Sequence, residues 1–193
     1  MSKYVHIYME ANPNPASLKF VVNEMLVPDG TDFHFEALAD AGTSPLAKML
    51  FGFDFIDKVF IMSNFVTVTK KAEYEWDEVG KLIREAITDH LAKDLLVLDI
   101  AKLQSNLAPE ESDTDTIRKV KDVLEEYIRP AVEGDGGAIN FHSFDEITGL
   151  VKVQLRGSCA GCPSSTITLK QGIETLLKRM IPEVKAVEAE AAY

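Results

Sequence analysis

The sequence predicts an α+β protein: two small α+β domains joined by a polar linker, the second in helix-strand-strand-helix-strand order. Three observations predict it. In both halves, short runs of alternating apolar residues give way to apolar residues at helical spacing. Between the halves, Gln104-Ser-Asn-Leu-Ala-Pro-Glu-Glu-Ser-Asp-Thr114 is polar, contains proline and shows no periodicity, as a linker does. Finally, 193 residues suffice for one ordinary domain or two small ones. The expected division is 1–104, a linker at 105–113, and 114–193.

In the first half, Val5–Ala11, Leu18–Val22 and Phe33–Phe35 read as strands, with Asn12-Pro-Asn-Pro15 a turn between the first two. Pro45–Phe51 reads as a short helix with Ser44 as its cap. Lys58–Met62 and Phe65–Thr69 form a hairpin around Ser63-Asn64, because two turn-forming residues join two alternating runs. A helix from about Asp77 to Leu95 gathers Val79, Leu82, Ile83, Ala86, Ile87 and Leu91 on one face. Phe51-Gly-Phe53 with Phe55 reads as core with a bend.

The second half opens with a helix from about Thr114 to Ile128, carrying Ile117, Val120, Leu124, Tyr127 and Ile128 on one stripe. Glu133-Gly-Asp-Gly-Gly137 breaks it. Strands follow at Ala138–Phe144 and Leu150–Leu155, turning near Glu146–Gly149. A helix starts at Pro163, where a missing N–H costs nothing. Leu169, Ile173, Leu176, Leu177 and Met180 recur along it until Pro182 stops the pattern. Val184–Val187 makes a last short strand before an alanine-rich, frayed C-terminus. This order suggests a small sheet with its helices on one face.

The composition, 46% hydrophobic and 26% charged, is that of a globular chain. No run is long enough to span a membrane. A net charge of −11 argues against general nucleic-acid binding, which depends on lysine and arginine neutralising phosphate. The start, Met1-Ser-Lys-Tyr-Val-His-Ile7, has neither the apolar core of a signal peptide nor the arginines of a transit peptide. Two cysteines three positions apart suit a reducing compartment, so a cytoplasmic location is expected.

Cys159-Ala-Gly-Cys162 holds the only cysteines in the chain. Such a pair suits a soft metal centre or a dithiol–disulfide cycle. A closed zinc site and most iron–sulfur clusters take four ligands, and one chain supplies two. Metal bound through cysteine alone would therefore bring two chains together. The pair lies on a strand-to-helix turn, where a helix N-terminus favours thiolate. The small residues Gly157, Ser158, Ala160, Gly161, Ser164 and Ser165 suggest an exposed turn that a bulky inorganic core can approach.

Other candidates read more simply as structure. Gly134-Asp-Gly-Gly137 follows a helix rather than a strand and precedes no Lys-Ser/Thr, so it is a helix-to-strand reversal, not a phosphate cradle. It could still shape a surface beside the cysteine turn. His6, His34, His90 and His142 are scattered, and only His142 lies near the cysteine half. No Ser/His/Asp pattern or carboxylate pair supports hydrolytic or acid–base catalysis.

Arg129-Pro-Ala-Val-Glu-Gly-Asp-Gly-Gly137, Leu155-Arg-Gly-Ser-Cys-Ala-Gly-Cys-Pro-Ser-Ser165, Thr168-Leu-Lys-Gln-Gly-Ile-Glu174 and Ile181-Pro-Glu-Val184 together resemble the NifU-like C-terminal domain of the Nfu family. The first half resembles the Nfu N-terminal domain through Asn12-Pro-Asn-Pro-Ala-Ser-Leu-Lys-Phe20, Ser44-Pro-Leu-Ala47 and Phe65-Val-Thr-Val-Thr-Lys70. The resemblance implies an iron–sulfur cluster scaffold or carrier. Cys159 and Cys162 of each of two protomers would ligate a bridging [4Fe–4S] cluster, with backbone N–H groups of the turn and Arg156 supporting its anionic core. Four thiolates would satisfy [2Fe–2S] equally well. The implied partners are a second copy, upstream cluster-assembly scaffolds and apo iron–sulfur proteins, with no nucleic acid and no membrane. Two other readings of the motif stay open: a thioredoxin-like dithiol oxidoreductase and a zinc-bridged structural dimer.

Overall fold

The computed structural model describes residues 3–99, 113–160 and 163–191. Its contacts divide the chain into two compact units, Met1–Ala108 and Pro109–Tyr193. Apart from Asp113, the expected linker lies outside the described residues.

The first unit is a five-stranded antiparallel sheet in the order β1-β2-β5-β4-β3. The strands are β1 (Ile7–Ala11), β2 (Ser17–Val22), β3 (Asp32–Phe35), β4 (Ile56–Met62) and β5 (Phe65–Lys70). Ser63, at φ 45°, and Asn64 make the tight β4–β5 connection that the alternating runs required. The β1–β2 turn is closed by its asparagines. The Asn12 side chain accepts from Asn14 N and Ser17 Oγ, Asn14 Oδ1 accepts from Ala16 N, and Trp76 Nε1 donates to Pro15 O at 2.9 Å.

Helices α1 (Pro45–Leu50) and α2 (Trp76–Ala92) supply Leu46, Ala47, Leu50, Val79, Ile83, Ile87 and Leu91 to one core with Phe20, Val22, Val59, Ile61, Val66 and Val68 of the sheet. Ser44 caps α1: its Oγ accepts from Ala47 N at 3.0 Å and donates to Val97 O at 2.7 Å. The expected face of α2 is corrected at one position. Leu82 is 48% exposed, whereas Gly80 is buried, within reach of Met9 and Leu18 on the sheet. A 3.6-residue stripe defines a sector, and the close approach at Gly80 rotates its centre away from Leu82. The Phe51–Phe55 stretch is core edge, with Phe53 and Phe55 stacked at 5.0 Å and Tyr74 edge-on to Phe55.

The second unit runs α3 (Asp115–Val123), a π-helical turn (Leu124–Ile128), α4 (Arg129–Gly134), β6 (Gly137–Asp145), β7 (Leu150–Gly157), α5 (Pro163–Met180) and β8 (Ala186–Ala191). β6 pairs antiparallel with β7, and β8 pairs parallel with β7 on its other side. Val151, Val153 and Leu155 of β7 face the core, and Lys152, Gln154 and Arg156 point the other way. Val120, Val123, Leu124, Val132, Ile173 and Leu177 from the helices join Ile139, Val151, Val153, Leu155 and Val187 in one cluster, so the helices do pack on one face.

Three local expectations are corrected here. The helix does not stop at Ile128. Pro130 cannot donate to the carbonyl four residues back and its ring would strike it, so the helix widens by one residue and Arg129 N–H bonds Leu124 O. That extra residue turns Tyr127 outward, 49% exposed, and brings Val132 into the core. At the far end of α5, Met180 is 44% exposed and Ile181 is buried in its place. The alanine-rich terminus is strand through Ala191 rather than frayed coil, and Val184 precedes that strand as a core residue. Glu174 ties β8 to α5 by accepting from Val187 N at 3.1 Å and from Lys178 Nζ at 2.5 Å. The Lys178 bond first, and the Val187 amide second, hold the Glu174 carboxyl below its ordinary value of 4.5.

Candidate functional site

The cysteine turn is built from the end of β7. Gly157 leaves the strand at φ 66°, a conformation that costs an L side chain strain and glycine none. Ser158, Cys159 and Ala160 then turn the chain, with Ala160 N donating to Gly157 O at 3.1 Å. Pro163 opens α5 as expected. Cys162 lies outside the described residues, as does Gly161.

Against this turn sits the end of the Gly134–Gly137 bend. Gly137 pairs with Gly157 in the β6–β7 register, and Gly136 turns at φ 76°. Ser158 holds the two segments together. Its N–H donates to Gly136 O at 3.3 Å and its hydroxyl donates to Asp135 O. A Cβ built on Gly137 would lie 2.8 Å from Cys159 Sγ and 2.7 Å from Arg156 O. The thiol therefore occupies the space that a side chain at Gly137 would fill. The bend shapes the surroundings of the cysteine.

The expected exposure of the turn is corrected at Gly157, Ser158 and Cys159, which are buried. Cys159 is 5% exposed and Ser158 2%, and Cys159 belongs to the same core cluster as Val153 and Leu155. Small residues allow close approach from any direction, and here the nearest segment of the same chain takes it. Two of the turn's N–H groups are engaged by the chain itself, that of Ala160 within the turn and that of Ser158 by the Gly136 carbonyl across from it. Arg156 lies on the sheet face away from the core, in register with Ala138.

His142 is exposed, and its Nδ1 lies 3.3 Å from Gln154 Nε2, on the sheet face opposite the core. His90 is buried on α2 with Nε2 3.0 Å from Leu96 O, and His34 sits 3.5 Å from Glu36. Among the described residues, no three His, Cys, Asp or Glu side chains come together as a metal site. No helix there is long and apolar enough to cross a membrane. Sequence reasoning missed Ser158 and Gly137 as partners of the cysteine. The glycine-rich bend was expected to shape a surface beside the cysteine turn, but a linear reading does not say which of its residues meets the thiol.

Family comparison covers both units. Residues 7–94 match the model described as scaffold protein Nfu/NifU N terminal, and residues 120–188 match the NifU-like domain. The NFU1 iron-sulfur cluster scaffold homolog, mitochondrial, of Drosophila willistoni is 38% identical over 94% of this chain. NifU-like proteins 4 and 5, mitochondrial, of Arabidopsis thaliana are each 39% identical over 95% of it. The chain spans 62%, 65% and 67% of the lengths of these three relatives. The cytoplasmic expectation is overturned by these names, which are all mitochondrial. A cysteine pair reports a reducing environment without saying which compartment provides it. With 38–39% identity along nearly its whole length and matches to both halves, the chain belongs to the Nfu family of NifU-like proteins.

Proposed function

We propose that this chain is a non-catalytic iron–sulfur cluster carrier in which Cys159 and Cys162 of two protomers ligate one [4Fe–4S] cluster for delivery to apo-proteins. The observation that carries the reading is the supply of thiols: two per chain, both falling in sequence between the end of β7 and the start of α5, against the four a cluster takes. The Drosophila willistoni relative is named an iron-sulfur cluster scaffold homolog, and the NifU-like match includes both cysteines. The cluster is cargo here, received from an assembly scaffold and passed on. Sharing it between two chains leaves each protomer with half the ligands, so a client's thiolates can replace one pair at a time.

Anaerobic reconstitution with iron and sulfide, followed by sizing, tests this. About two iron and two sulfide per chain in a dimer peak are expected, and about one of each would identify [2Fe–2S] instead. Cysteine-to-alanine change at either position is expected to abolish loading with the fold intact. A colourless monomer after reconstitution would overturn the bridged carrier. Acceleration of insulin reduction by dithiothreitol would then favour a dithiol oxidoreductase, and colourless protein with zinc at half-stoichiometry a zinc-bridged dimer.

A further inference from the structure

A thiol that must bind a cluster shared with a second chain has to reach solvent, and Cys159 is only 5% exposed. Its Sγ lies against Gly137, inside the core cluster of its own unit. Two hydrogen bonds from Ser158, to Gly136 O and Asp135 O, keep the turn there. Both acceptors are backbone carbonyls, and the Asp135 residue is itself exposed. Directly before Ser158 stands Gly157, at positive φ, able to leave that conformation without the steric limits of an L side chain.

We propose that the Gly134–Gly137 bend is a seat that holds the Cys159 thiol closed in the cluster-free protein, with Ser158 and Gly137 as positioning residues and Gly157 as the pivot. The relevance to loading rests on Cys159 being a cluster ligand, as proposed above. In the closed state the thiol is shielded from oxidants and stray metal. Loading draws on a minor open state, reached when Ser158 releases the two carbonyls, so the strength of that clamp sets how much open protein is available.

Labelling of Cys159 tests the proposal without iron. The full chain carrying Cys162→Ser presents a single thiol, and its alkylation by iodoacetamide is followed by mass spectrometry. Labelling is expected to be at least about tenfold slower than in the urea-unfolded protein. It should also stay flat through dilute urea, because a local opening exposes little surface. Ser158→Ala in the same background is expected to raise the rate about fivefold, the population shift set by one lost hydrogen bond. Asp135→Ala keeps the carbonyl and is expected to leave the rate unchanged. Labelling as fast as in the unfolded chain would overturn the proposal. So would a rate that climbs with urea as steeply as global unfolding, or a folded Ser158→Ala protein that labels like its parent. Should Ser158→Ala fail to fold, the protection and urea dependence of the Cys162→Ser protein decide alone. Failed reconstitution would count against the carrier reading and leave this result standing.

Discussion

Replacing Gly137 with alanine puts a methyl group where the structure has a sulfur atom and a carbonyl oxygen. The added carbon would stand 2.8 Å from Cys159 Sγ and 2.7 Å from Arg156 O, both well inside normal contact. The thiol can swing away, but Arg156 O belongs to β7, fixed by pairing Gly137 with Gly157 and Ala138 with Arg156. The sheet end must therefore part. Overpacking of this kind costs about 1–3 kcal/mol. Urea unfolding followed by circular dichroism measures the loss, and hydrogen exchange locates it: amides at the Gly137 end of β6 and the Gly157 end of β7 should lose protection. A variant within about 0.5 kcal/mol of wild type, with unchanged exchange at those amides, would refute the reasoning. It would mean that the bend and the cysteine turn do not meet as described.

Three further outcomes are expected. Ser44→Ala removes both the α1 cap and the donor to Val97 O at a fully buried position, and should cost about 1–2 kcal/mol by urea unfolding; a loss below about 0.3 kcal/mol would refute the cap. Gly149→Ala places a side chain at φ 70° with its Cβ 2.6 Å from Glu183 O, on the residue whose carbonyl receives Lys185 N and Ala186 N. It should cost at least the roughly 1–2 kcal/mol of left-handed strain, with β8 amides the first to exchange. The Glu174 carboxyl, lowered by Lys178 and the Val187 amide, stabilises the fold fully above its unfolded value near 4.5 and loses that contribution as pH falls through its depressed folded value. The stability gap between wild type and Glu174→Gln should thus be widest near neutrality and close in acid; a gap equal at pH 3 and pH 7 would remove Glu174 as the cause.

What could be read without coordinates was local. The Ser44 cap, the Ser63-Asn64 connection, the start of α5 at Pro163 and the pairing of two cysteines all depend on residues a few positions apart. At Tyr127 the helical signal was misjudged because of Pro130: its cost is visible in sequence, but the widened helical turn that absorbs it depends on Val132 finding a place in the core. The last strand was expected at Val184–Val187, and its run to Ala191 was illegible for a related reason. Ala186–Ala191 has weak strand propensity, and its conformation comes from parallel pairing with β7 and from Glu174 holding Val187 N.

The sequence by itself determined the two α+β units and the order of their elements, since periodicity and turn residues are properties of short segments. Only the tertiary structure decided that Cys159 is closed rather than open. Its burial is set by Gly137 and the Asp135 and Gly136 carbonyls, which come from the far side of a hairpin, and a thiol's exposure depends on what packs against it, not on its neighbours along the chain.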